Sequence, residues 1–120
     1  MTQQANNPLF DNIRIILVNT SHPGNIGAAA RAMKNMGVSK LTLVEPEDYP
    51  SLEAISRSVG AVDILDNVVI AKDLQEAISD CVWVAGTSAR LRTIEWPILN
   101  PRDCLQKSLE HIEQGDIAIV

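Results

Sequence analysis

Aromatic side chains are nearly missing from this sequence: Phe10, Tyr49, Trp83 and Trp96 are the whole set in 120 residues. A core must therefore come from Ile, Leu, Val, Ala and Met, which suits a parallel α/β sheet. Cysteine is scarce too. Cys81 and Cys104 form no Cys-x-x-Cys pair and have no neighbouring His, which argues against a metal site, and both read as reduced small hydrophobes. No apolar run approaches the roughly 20 residues of a membrane helix. The polar start Met1-Thr2-Gln3-Gln4-Ala5-Asn6-Asn7 is not a signal peptide, so a cytoplasmic chain with no membrane partner is expected. Neither a Gly-x-Gly-x-x-Gly following a strand nor a Gly-Lys-Ser/Thr phosphate loop occurs, which removes support for NAD and ATP chemistry. Positive charge is also short, with ten Lys and Arg against fifteen Asp and Glu and a net charge of −5, which argues against a general nucleic-acid coat.

What is present is an alternation of strands and helices. Strands are predicted at 13–19, 41–44, 68–70, 81–85 (as a buried strand) and 116–120. Helices are predicted at 24–37, 50–60, 73–79 and 102–111, with Gly37 and Gly60 as stops. The order predicts an α/β fold, a Rossmann-like parallel sheet with helices on both faces. Residues 1–11 read as a flexible lead-in, and 12–120 as part of one domain. Because the chain stops on an apolar strand, two possibilities stand: an edge strand of a minimal domain, or a domain that continues past Val120.

Two loops at strand ends carry the polar and small residues. One is Asn19-Thr20-Ser21-His22-Pro23-Gly24-Asn25-Ile26-Gly27, which opens into the helix-forming Ala28-Ala29-Ala30-Arg31-Ala32-Met33-Lys34 and offers free backbone N–H groups to an anion. The other is Gly86-Thr87-Ser88-Ala89-Arg90-Leu91-Arg92-Thr93. Ligands of open α/β sheets lie at the carboxyl ends of strands, and parallel strands put both loops on one rim. The windows 21–40 and 86–94 hold half of the basic residues and no acid, so a local basic site on an acidic body is expected. On the first helix, Ile26, Ala30, Met33, Met36 and Gly37 share one side, and Arg31 points away with Gly27 and Lys34 beside it. Arg31 is either a solvated side chain or a fork for phosphate or carboxylate, with bare Gly27 leaving room for the ligand. Asn25 is either a helix N-cap or a site residue. Thr87 and Ser88 either satisfy a strand end or contact a nucleoside.

The run 19–34 resembles the first motif of the SpoU branch of the SPOUT RNA methyltransferases, in which an Asn, a Gly and an Arg recur at this spacing. Gly86-Thr87-Ser88-Ala89-Arg90, Arg92-Thr93 and Trp96-Pro97 look like its members that methylate the ribose 2′-hydroxyl at nucleotide 32 of tRNA. The resemblance covers the chain from Asn12 onward. It implies a SPOUT (α/β knot) fold, S-adenosyl-L-methionine as cofactor, no metal, tRNA as partner and a homodimer. It further implies Arg31 and Asn25 as catalytic residues, Thr87, Ser88 and Ala89 as cofactor contacts, and Arg92, Arg90 and Lys34 on RNA. The family's second and third motifs, which build most of its cofactor pocket and its knot, are not in these residues. The chain is therefore expected to be the N-terminal portion of a single SPOUT domain, inactive alone. A non-catalytic RNA-binding module using the basic rim, or a binder of small carboxylates, would use the same groups.

Overall fold

β-branched and aliphatic runs become five parallel strands in the computed structural model, which describes residues 8–88 and 98–120. A 3-10 turn, Pro8–Asn12, leads into β1 (Ile13–Val18), α1 (Pro23–Met36), β2 (Lys40–Val44), α2 (Leu52–Arg57) and α3 (Val62–Asp66). There follow β3 (Val69–Ala71), α4 (Leu74–Ile78), β4 (Cys81–Ala85), α5 (Pro101–Leu109) and β5 (Asp116–Ile119). The sheet order is β3-β2-β1-β5-β4. The α/β expectation holds, and no helix among the described residues is long and apolar enough to cross a membrane.

Strand alternation divides the core in two. Leu41 and Leu43 of β2 pack with Ile26, Ala30 and Met33 of α1, Ala54 of α2, and Ile64 and Leu65 of α3. Ile16, Val44, Ala71 and Ala118 point the other way and pack with Ala77 of α4. Helices therefore cover both faces.

Several details differ from the sequence reading. The predicted helix 50–60 ends at Arg57, Gly60 turns the chain at φ 78°, and the five-residue α3 follows. α3 escapes prediction because five residues show too little periodicity. Met36 is 66% exposed; Gly37 adopts the left-handed conformation, and Val38 returns to the core with its N–H on the Met33 carbonyl (3.0 Å). β4 is not a buried strand but a sheet edge, with Val82 45% and Val84 41% exposed. β5 is not an edge; it lies between β1 and β4. Residues 8–11, read as part of a flexible lead-in, belong to the 3-10 turn.

The one charge inside the first apolar run anchors the amino end of the sheet. Arg14 donates to both carboxylate oxygens of Asp80 (2.7 and 3.2 Å), to Asp116 (2.5 Å) and to the Ala77 carbonyl (2.7 Å). Lys40 also reaches Asp116 at 3.3 Å, so β1, β2, β5 and the turn before β4 are tied together. The hydrogen bond from Arg14 holds the Asp80 carboxyl below its usual range. Because the folded-state value is depressed, the contribution is whole above the ordinary carboxylate pKa of about 4 and is lost as pH falls through the lowered value. Arg14→Met is expected to cost about 2–3 kcal/mol at pH 7, below the figure for a fully buried pair since Asp80 is open to solvent. The difference from wild type should shrink on acidification below about pH 4. Urea unfolding of the intact protein at both pH values checks this. A gap that stays constant in acid would show that ionised carboxylates do not hold the network.

Candidate functional site

The rim formed by the carboxyl ends of the strands carries both loops singled out above. After β1, Asn19 takes a positive φ of 52°, and its N–H donates to the Val44 carbonyl (2.8 Å). Asn tolerates this conformation. The chain then extends through His22, the residue that precedes α1, and Pro23 starts the helix, where its missing N–H costs nothing. Asn25 is therefore not the N-cap. It lies in the first turn, exposed, with its N–H on the His22 carbonyl (2.9 Å).

Arg31 is exposed on the outer side of α1, and its side chain makes no hydrogen bond or ion pair within the described residues. Lys34, one turn on, pairs with Asp63 of α3 at 2.8 Å. Six residues of helix separate Asn25 from Arg31, about 9 Å along the axis and about 120° around it. α1 thus brings Arg31 beside Lys34 and holds Asn25 apart from both.

Gly27 is not an opening for a ligand. A Cβ there would lie 2.2 Å from the Ala54 carbonyl oxygen, 2.7 Å from Arg57 Cβ and 3.0 Å from Arg57 C. The missing side chain lets the backbone of α2 rest on α1. Glu53 of α2 accompanies this contact, its Oε1 3.2 Å from the Cβ position of Gly24. A carboxylate therefore already stands beside the positive end of α1. Glu45, Glu47 and Asp48 are exposed in the loop after β2, and the Glu47 N–H donates to the Thr20 carbonyl (3.1 Å). The rim at the start of α1 is thus mixed in charge rather than uniformly basic. The sequence reading missed Glu53 and Arg57 as neighbours of α1, because only the folded α2 brings them there.

The second loop leaves β4 through Gly86, where a Cβ would meet nothing within 4 Å among the described residues. Thr87 donates both its N–H (2.7 Å) and its hydroxyl (2.8 Å) to the Val120 carbonyl, and the Val120 N–H donates to Ala85 (2.8 Å). This loop is tied to the end of β5. β5 separates it from the first loop by two strand spacings, about 10 Å. Ala89, Arg90 and Arg92 lie outside the described residues, as do Thr93, Trp96 and Pro97. Gly86, Thr87 and Ser88 are exposed at the strand end, where both donors of Thr87 are engaged with Val120 and its hydroxyl oxygen keeps acceptor capacity.

Cys81 and Cys104 are free thiols, and burial pushes the Cys81 thiol up from its usual value. No cluster of three metal-binding side chains occurs among the described residues.

With this geometry in view, comparison with known proteins is specific. The profile of the family described as "SpoU rRNA Methylase family" matches residues 12–106. The chain is 57% identical over 113 residues to the tRNA (cytidine/uridine/adenosine-2′-O-)-methyltransferase TrmJ of Pseudomonas aeruginosa, covering 93% of this chain and 44% of that protein. It is 49% identical over 112 residues to the tRNA (cytidine/uridine-2′-O-)-methyltransferase TrmJ of Sodalis glossinidius, with coverage of 93% and 44%. Among solved structures, a probable methylase family protein from Haemophilus influenzae superposes with a TM-score of 0.85 at 45% identity, covering 92% of this chain and 46% of that one. TrmJ from Z. mobilis superposes at 0.80 with 34% identity, over 88% and 47%. The chain spans under half the length of these relatives.

Proposed function

The chain belongs to the SpoU rRNA methylase family, and from that membership we propose that this protein is an S-adenosylmethionine-dependent tRNA ribose 2′-O-methyltransferase acting on cytidine or uridine at nucleotide 32. The observation that carries this reading is the extent of the likeness. The family match takes in both rim loops, and two of the relatives that align with 93% of the chain are named tRNA 2′-O-methyltransferases acting on cytidine and uridine. Residues 12–120 then form the N-terminal portion of a single SPOUT domain, working in the cytoplasm as a homodimer.

S-adenosylmethionine, when bound, would supply an electrophilic methyl to the ribose 2′-oxygen with S-adenosylhomocysteine as the leaving group, and the hydroxyl proton would pass to an RNA phosphate oxygen or another acceptor. Alignment of oxygen, carbon and sulfur is the main demand on the protein. Arg31 has five N–H donors and no acceptor, so it does not take the proton. It orients the target nucleotide by its planar fork on a phosphate. Asn25 acts separately at the first turn of α1, on another part of the bound nucleotide. Ser88, Ala89 and the Thr87 hydroxyl oxygen hold the cofactor's nucleoside, and Arg90, Arg92 and Lys34 lie along the RNA.

The test is methylation of unmodified tRNA by the intact protein, with the modified nucleotide mapped by digestion and mass spectrometry. A 2′-O-methyl group at nucleotide 32 that depends on S-adenosylmethionine is expected. Salt-dependent tRNA affinity with no cofactor binding by calorimetry would instead favour the RNA-binding module.

A further inference from the structure

Beside α1 stands a guanidinium without a use among the described residues. Arg14, Lys34 and Lys40 sit in ion pairs, whereas the side chain of Arg57 makes no hydrogen bond or ion pair among the described residues. Its natural partner is Glu53, four residues earlier on α2, a spacing that favours pairing. Glu53 is turned instead toward the first turn of α1, with Oε1 3.2 Å from the Cβ position of Gly24. The stem of Arg57 is pinned by the same contact. Its Cβ lies 2.7 Å from the Cβ position of Gly27, and its Cγ lies 3.7 Å from that of Gly24. Arg31 stands one turn beyond Gly27, about 6 Å along α1. Two guanidinia without a partner among the described residues thus stand on neighbouring helices, Arg31 on α1 and Arg57 on α2.

We infer that Arg57 is a second phosphate contact for the tRNA, gripping the backbone beside the nucleotide that Arg31 orients. The inference rests on the methyltransferase reading. A guanidinium fork matches phosphate oxygens two at a time. Because packing on the glycines already restrains the stem, less side-chain freedom is lost when RNA binds. Arg57 adds affinity and register but carries no sequence information.

Arg57→Met keeps an apolar stem on Gly27 and removes the charge, and Arg57→Lys keeps the charge. Both are compared with wild type in the intact enzyme, by tRNA affinity across a salt series and by steady-state methylation. Arg57→Met is expected to weaken tRNA binding about five- to tenfold and to lower the slope of log affinity against log salt by about one. The effect should fall on KM for tRNA rather than on kcat, with Arg57→Lys recovering the slope. Unchanged affinity and slope, in a wild type that does methylate tRNA, would overturn the Arg57 assignment alone. A lowered unfolding midpoint with unchanged slope would also overturn it, leaving Arg57 a packing residue. A wild type that neither binds nor methylates tRNA would overturn both this inference and the function it rests on.

Discussion

Arg31→Ala in the intact enzyme is expected to lower kcat for tRNA methylation by about 10²–10³-fold while shifting folding stability by less than about 0.5 kcal/mol. The two halves of this expectation have separate physical grounds. Arg31 is exposed and makes no bond within the described residues, so the fold loses nothing when the guanidinium goes. It also stands on a fourteen-residue helix closed by Gly37 in the left-handed conformation, which fixes where the side chain starts. A group that does no structural work yet sits on a rigid element beside the rim is suited to orient a substrate. Arg31→Lys is expected to lose most of the rate as well, since an ammonium is a point charge without the planar fork. Turnover by the Lys variant within about tenfold of wild type would show that charge alone suffices, and the fork assignment would fail. Loss of folding stability comparable to the loss of rate would place Arg31 in the scaffold instead.

Local periodicity made much of the fold legible. The alternation of elements, the start of α1 near Pro23 and its stop at Gly37 depend on neighbours within a few residues, and they were readable from residue type and spacing. What failed to read out depends on contacts distant in sequence. β4 looks like a core strand by composition, and only the sheet order makes it an edge. The apolar end of the chain gave no sign that β5 would insert beside β1. Arg14 passed as part of an apolar run, because its partners Asp80 and Asp116 lie more than sixty residues away. At the site, the residues were visible and their arrangement was not. α1 separates Asn25 from Arg31, Lys34 is paired with Asp63, and Thr87 binds the Val120 carbonyl. None of these follows from spacing along one segment.

Gly27 offers the sharpest contest between two physical effects, because helix propensity and packing predict opposite signs for Gly27→Ala. In the interior of an exposed helix, replacing Gly by Ala stabilises by about 1 kcal/mol. At this position the new Cβ would meet the Ala54 carbonyl oxygen at 2.2 Å and two atoms of Arg57 at 2.7 and 3.0 Å. Ala54 O and Arg57 C are backbone, and a backbone cannot swing aside as a long side chain does. α2 would have to lift from α1 as a unit, disturbing Ala54, which is fully buried in the core that α1 shares with α3. Overpacking of this kind costs about 1–3 kcal/mol or more, so the variant is expected to be destabilised by a net amount of about 2 kcal/mol. Denaturant unfolding of the intact protein checks the sign. A gain of about 1 kcal/mol would mean that propensity wins and the two helices do not touch here. The same variant separates two uses of the glycine. If Gly27 leaves room for substrate, Ala would spare stability and weaken tRNA or cofactor binding directly. If it seats α2, the stability loss comes first, and any loss of binding follows from displacing Arg57 relative to Arg31.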